Sequence, residues 1–191
     1  MTASARIDAL TGKLLIAMPG MGDPRFEKSV VLVCAHSEGG AMGLIVNKPA
    51  ADLRFADLLE QLGIPQSPST EHIRVHFGGP VEHGRGFVLH SADYARNEST
   101  MKVDSRYGMT ATLDILHDIS RGEGPNACIM ALGYAGWGPG QLEGEFQRNG
   151  WLVCDAREDI VFGADNPAKW EAALASIGIT PMSLSAAGGR A

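Results

Sequence analysis

The sequence predicts an α+β fold, a large mixed β-sheet with packed helices in a single compact domain. Three observations lead there. The chain has 191 residues, 45% hydrophobic and 20% charged, which suits a globule with one real core. Its early apolar, β-branched runs follow one another with short connections, whereas the later ones alternate with helical stripes. No internal repeat or low-complexity linker divides the chain. Residues 13–179 therefore read as the domain, between an N-terminal segment at 1–12 and a tail at 180–191 expected to be disordered.

The elements follow in order. Apolar runs bounded by glycine, proline or polar residues predict strands at 14–18, 29–35 and 43–47. Phe55, Leu58, Leu59 and Leu62 stand at i, i+3, i+4 and i+7, the stripe of an amphipathic helix that Gly63 ends. Strands are expected again at 73–77 and 86–90. Leu113, Leu116 and Ile119, with Ile115 beside them, predict a helix over 110–121 stopped at Gly122. A strand at 127–132 is followed by a short helix over 139–148 with Leu142 and Phe146 inward. Gly144 weakens that helix by about 1 kcal/mol relative to alanine. Next come a strand at 151–155, a weaker one at 160–162, and a helix that Asn166-Pro167 opens as N-cap and first turn. Trp170, Leu174 and Ile177 continue its apolar face to Gly178.

Composition narrows the function classes. Apolar runs such as Val30–Ala35 are too short to cross a bilayer, and the start MTASARIDALTG lacks the apolar core of a signal peptide. A cytoplasmic protein without a membrane role is expected. Cys34, Cys128 and Cys154 form no CxxC pair and read as buried thiols. The net charge is -6 and no two Lys or Arg residues are adjacent, so direct nucleic-acid binding is disfavoured.

The motifs that carry chemistry are glycine-rich. Ala131–Glu145, reading ALGYAGWGPGQLEGE, holds five glycines with Tyr134 and Trp137 between an apolar run and an acidic one. Glycine is the residue that loses most freedom on folding, so the cluster needs a reason, positive φ angles or the close approach of a ligand or another segment, and it marks a site. Glu143 and Glu145 are two apart and point in different directions on a helix, so their spacing does not establish an acid/base couple. After the first strand, Pro19-Gly20-Met21-Gly22-Asp23-Pro24 has Arg25 where a dinucleotide loop needs its third glycine, and reads as a tight turn. His36–Gly43 reads as a hairpin loop, and no serine lies in a GxSxG elbow. His72 and His76 share a strand face, but without HExxH they are better read as surface or core histidines than as metal ligands. Gly78-Gly79-Pro80 reads as a sharp turn with Arg85 beyond it, placed to meet an anion or Glu82.

Three ordered blocks resemble the bacterial AlgH/YqgE family: LLIAMPGMGDPRFEKSVVLVCAHSEGGAMGLIVNKP (14–49), FGGPVEHGRGFVLH (77–90) and LGYAGWGPGQLEGEFQRNGWL (132–152). The match runs from Leu14 to about Leu174. It implies a compact α+β fold with a large mixed sheet, and a cytosolic protein labelled a transcriptional regulator, with no established reaction or cofactor. That label stems from a genetic association with exopolysaccharide regulation. No recognised DNA-binding motif accompanies it, and the chain shows neither a helix-turn-helix nor a basic helix. Where the resemblance implies glutamate before the histidine, the chain carries Ala35.

The resulting expectation is a non-enzymatic binding or regulatory protein, with no metal or cofactor. Loops 19–24, 36–43, 78–86 and 133–143 converge, on this reading, on one cleft for a small anionic ligand or a partner protein. Its candidate residues are Pro19, Asp23, His36, Asn47, Gly78, Gly79, Arg85, His90, Tyr134, Trp137, Gly140, Gln141 and Glu143. The alternative is a hydrolase-type enzyme using Asp23, His36, His90 or Glu143.

Overall fold

A computed structural model describes residues 10–188 except Met21. Nine strands and six α-helices form one α+β domain: β1 (Lys13–Ala17), β2 (Val30–Ser37), β3 (Gly40–Ile45), α1 (Phe55–Gln61), β4 (Val75–Phe77), β5 (Val81–Ser91), β6 (Thr100–Lys102), β7 (Tyr107–Thr110), α2 (Leu113–Ser120), β8 (Cys128–Trp137), α3 (Gln141–Gln147), β9 (Trp151–Asp155), α4 (Glu158–Val161), α5 (Asn166–Ser176) and α6 (Pro181–Gly188). The sheet runs β6-β7-β5-β8-β3-β2-β1-β9, and β4 pairs with β8 off that path. Among the described residues only the β4–β8 pairing is parallel, which makes the sheet mixed as expected.

β8 joins the two halves of the sheet. Its first half lies between β5 and β4, with Met130 opposite both Val88 and Val75. Its second half lies beside β3, with Ala41 opposite Trp137 and Gly43 opposite Ala135. β3 and β4 thus lie end to end along one side of β8, where Ile45 N donates to Gly78 O at 2.9 Å.

Side chains alternate faces along a strand, so a slip of one residue exchanges the faces. Ile129 and Ala131 face the inner side of the curled sheet and Met130 the outer side. Gly133, at φ +73°, resets the alternation, so that Tyr134 faces inward and Ala135 and Trp137 outward. The inner core of Leu14, Leu32, Leu89 and Tyr107 is closed by Trp170 and Leu174 of α5 and Leu184 of α6. Outside, α1 and α2 cover β4, β5 and β8, while α3 covers β1–β3 with Leu142 against Trp137 and Trp151.

Four sequence expectations are corrected. β8 continues through Trp137, so residues 133–137 are strand rather than loop. β6 and β7 form where no strand was expected, being three and four residues long. Residues 158–161 make a helical turn instead of the strand at 160–162, with Glu158 and Asp159 at its start and Ile160 and Val161 buried. Residues 181–188 are helical where a disordered tail was expected, and Leu184 gives the helix its anchor in the core. The loop read as a tight turn after β1 ends in a 3-10 turn, Pro24–Phe26, whose N-cap is Asp23.

Lys169 of α5 is buried and donates to Val46 O at 2.8 Å and Val161 O at 3.0 Å. Burial pulls its ammonium from 10.5 down to about 8. Between those two values the unfolded chain holds the proton more firmly, so the Lys169 contribution to stability rises with pH across that window. Relative to Lys169→Met, the wild type should gain about 3 kcal/mol between pH 7.5 and pH 10.5 in urea melts.

Two glycines of the ALGYAGWGPGQLEGE segment make a second test. A Cβ on Gly133 would stand 2.4 Å from Gly79 O, whereas one on Gly140, at nearly the same φ, would meet nothing within 4 Å. Gly133→Ala should cost about 3 kcal/mol or more by chemical denaturation. Gly140→Ala should cost only the left-handed backbone penalty, about 1 kcal/mol.

Candidate functional site

The glycine-rich segment is built around one carboxylate. Glu145 Oε1 accepts from the indole N–H of Trp137 at 3.2 Å and of Trp151 at 3.0 Å, and Oε2 accepts from Gln141 Nε2 at 3.1 Å. Gln141 Oε1 in turn accepts from Gly138 N at 2.9 Å. Two tryptophans from different strands are therefore held by one residue of α3, and they meet edge to face at 6.0 Å. Glu143, two residues earlier, points elsewhere as helical geometry requires. Its Oε1 lies 2.6 Å from His36 Nε2, tying α3 to the β2–β3 hairpin.

Two clefts flank this structure. The first, about 730 Å³, is walled by Pro19, Asp23 and Arg25, by Pro80 and Val81, and by Gly136, Trp137, Gln141, Glu145 and Arg148. The second, about 640 Å³, opens beside Met42, Arg85, Phe87, Met101, Met109 and Tyr134. They share Val81, Gly136 and Trp137. The four glycine-rich loops thus gather in one region around two adjoining clefts, not one, and loop 36–43 reaches only the second, through Ala41 and Met42.

Several candidates have structural duties. Asp23 accepts from Arg25 N and binds its guanidinium through both oxygens, at 3.0 and 2.8 Å. That side-chain bond holds its carboxyl below the usual carboxylate range. Asn47 clamps two strand ends, accepting from Val30 N at 2.9 Å and donating to Lys28 O at 2.8 Å. Gly78 and Gly79 bring the β4–β5 turn onto β8, where a Cβ would stand 2.3 Å from Gly133 O and 2.0 Å from Tyr134 C respectively. His90 is buried, donates from Nδ1 to Ser91 O and accepts at Nε2 from the Thr110 hydroxyl, both at 2.8 Å. Burial makes its ring harder to protonate. His76 is likewise a core histidine, between Met130 O and the Asn166 amide.

Other candidates face the clefts. Pro19, Trp137 and Gln141 line the first, and Arg85, Tyr134 and Trp137 the second. Arg85 sits 3.5 Å from Glu82 and its guanidinium lies over the Phe87 ring at 5.1 Å. Gly140 gives α3 its left-handed N-cap. His36, with a side chain only 1% exposed, meets neither cleft; Glu143 supplies it the acid that Ala35 does not, and its Nδ1 has no partner among the described residues. Asp23, His36–Glu143 and His90 are therefore three separate arrangements. Burial pushes the thiols of Cys34 and Cys128 up to about 12. Among the described residues no group of three or more His, Cys, Asp or Glu side chains is arranged to hold a metal ion.

Arg148 and Glu145 are cleft residues that sequence reasoning missed. The available signal was the i, i+4 spacing of Gln141 and Glu145, which puts both on the helix face that meets Trp137.

The description "AlgH-like" fits a family model that matches residues 14–182. The chain belongs to the AlgH-like family. A UPF0301 protein of Cereibacter sphaeroides is 59% identical over 182 residues, covering 95% of this chain and 99% of its own. One of Ruegeria pomeroyi is 61% identical over 183 residues with the same coverage. The solution structure of AlgH from Pseudomonas aeruginosa superposes with a TM-score of 0.77 at 38% identity over 97% of both chains. A crystal structure from Corynebacterium diphtheriae shares the fold, with a TM-score of 0.72 at 22% identity over 96% of this chain and 97% of that one.

In this AlgH-like protein the Glu145 bonds should be measurable one residue at a time. Glu145→Gln keeps the size but replaces the carboxylate that receives both indoles with one neutral oxygen. It should cost about 2 kcal/mol in denaturant titration and change the tryptophan emission. Unchanged stability and emission would show that Trp137 and Trp151 are held by packing alone.

Proposed function

We propose that this AlgH-like protein is a non-enzymatic binding protein with a regulatory role in the cytoplasm, and that its first cleft takes a small anionic ligand. The observation that supports this reading is the charge pattern of that cleft. Asp23 and Arg25 neutralise one another, and Glu145 is engaged by two indoles and an amide. Arg148 is left as the cleft's one charged side chain without a polar or ionic partner among the described residues. An exposed guanidinium beside an aromatic wall suits a carboxylate or phosphate group, which it can hold through two N–H donors.

Isothermal titration with inorganic phosphate, pyrophosphate and citrate tests the proposal. At least one should bind, with Arg148→Gln weakening it about tenfold and the probe recovered chemically unchanged. Absence of binding at millimolar concentration, or equal binding by the variant, would sink the anion cleft. DNA remains disfavoured as the ligand, because the cationic groups are scattered and many are paired with acids.

One contact favours the alternative of a hydrolase-type enzyme, the 2.6 Å approach of His36 to Glu143. The imidazole is enclosed while the Glu143 side chain is 36% exposed, so a substrate meets the carboxylate rather than the ring. Chromogenic ester and phosphoester turnover that disappears in Glu143→Gln would establish that reading in place of the first.

A further inference from the structure

The second cleft differs from the first in chemistry. It opens at one end of the inner face of the sheet, where β3, β8, β5, β7 and β6 all contribute to it. Towards the other end, Trp170, Leu174 and Leu184 close the inner core. At the opening, Met42 and Tyr134 pack against that core and are only partly buried, and Met101 is 36% exposed on the outermost strand. Thioether sulfurs and aromatic rings make this a polarizable, adaptable lining.

The rim carries the charge. Between Val81, opposite Tyr134, and Gly86, opposite Leu132, β5 places four residues, Glu82–Arg85, against the single Gly133. A bulge of this kind re-aims side chains, and Glu82 sits within it at φ +48°, in the left-handed region. Arg85 is occupied by Glu82 and by the Phe87 ring. Glu98, which lines the same cleft as Tyr134, has no partner among the described residues, so Glu82, Arg85 and Glu98 together leave the lining with a net negative charge.

We infer that the second cleft is a binding site for a hydrophobic cation, an apolar body carrying one quaternary or protonated amine. The body lies over Met42, Met101 and Met109, and the cationic head sits between Glu98 and the Tyr134 ring. Aromatic faces and an acidic rim attract such a head, and a cleft of about 640 Å³ with methionines in its lining accommodates its body. This site does not rest on the anion reading of the first cleft, whose Arg148 lies outside the lining of the second.

Decyltrimethylammonium below its micelle concentration and decanoate provide matched probes of opposite charge, read by titration calorimetry on the full chain. The cation should bind at one site, with decanoate at least about tenfold weaker. Met101→Arg, at an exposed position on β6, should abolish binding, and Glu98→Gln should weaken the cation about fivefold. Arg148→Gln, in the other cleft, should leave it unchanged, which separates this result from failure of the anion proposal. Equal affinity for the two probes, binding that survives Met101→Arg, or indifference to Glu98→Gln would each overturn the inference. Thermal melts of both variants confirm that they fold.

Discussion

The structure depends on backbone brought closer than side chains permit, where the β4–β5 turn lies across β8. Gly78 and Gly79 face Gly133 with no room for a Cβ on any of the three. That contact lets β4 continue the line of β3 along β8, so the two halves of the sheet share one strand. It also places the residue that exchanges inner and outer faces at the junction. Without the exchange at Gly133, Trp137 would face the inner core, and α3 would lose the indole that Glu145 binds.

Polar groups then fasten elements that apolar packing alone would let slide. Lys169 ties α5 to the end of β3 and to α4, and Asn47 ties two strand ends together. Asp118 of α2 collects the Tyr94 hydroxyl and the Arg96 and Arg121 guanidiniums. Each is a buried or partly buried group with specific partners, and such groups favour one arrangement over near alternatives at a cost in desolvation. Glu145 belongs with them. Its spacing in the sequence showed only that it points away from Glu143, yet its position makes it the acceptor for two distant rings.

Much of the fold was legible because hydrophobic periodicity is local. The stripes of Phe55–Leu62 and Leu113–Ile119 became α1 and α2, and the apolar runs became β1, β2, β3, β5, β8 and β9. β6 and β7 were not legible, since three or four residues around Thr100 and Gly108 carry too few alternations to register. Residues 158–161 misled for a related reason: two adjacent apolar residues are buried whether they sit in a strand or in one helical turn. Of the glycines in the third block, Gly133 marks a close approach, to the chain's own backbone at Gly79, whereas Gly140 meets nothing and serves a left-handed helix cap. For the site, the gathering of the loops was legible while its division into two clefts was not. That division depends on residues that meet only in the fold, such as Val81, which pairs with Tyr134 and borders both clefts.

Trp137 is a wall of both clefts, fixed at one end by its hydrogen bond to Glu145. A wall common to two rooms cannot move in one alone. Thermodynamic reciprocity makes this quantitative: an occupant that displaces the indole in one cleft alters affinity in the other by some factor, and the converse factor is identical. An occupant that leaves the indole in place gives no such exchange through it. The bond from one tryptophan to one glutamate therefore decides whether the two clefts act as neighbours or as strangers.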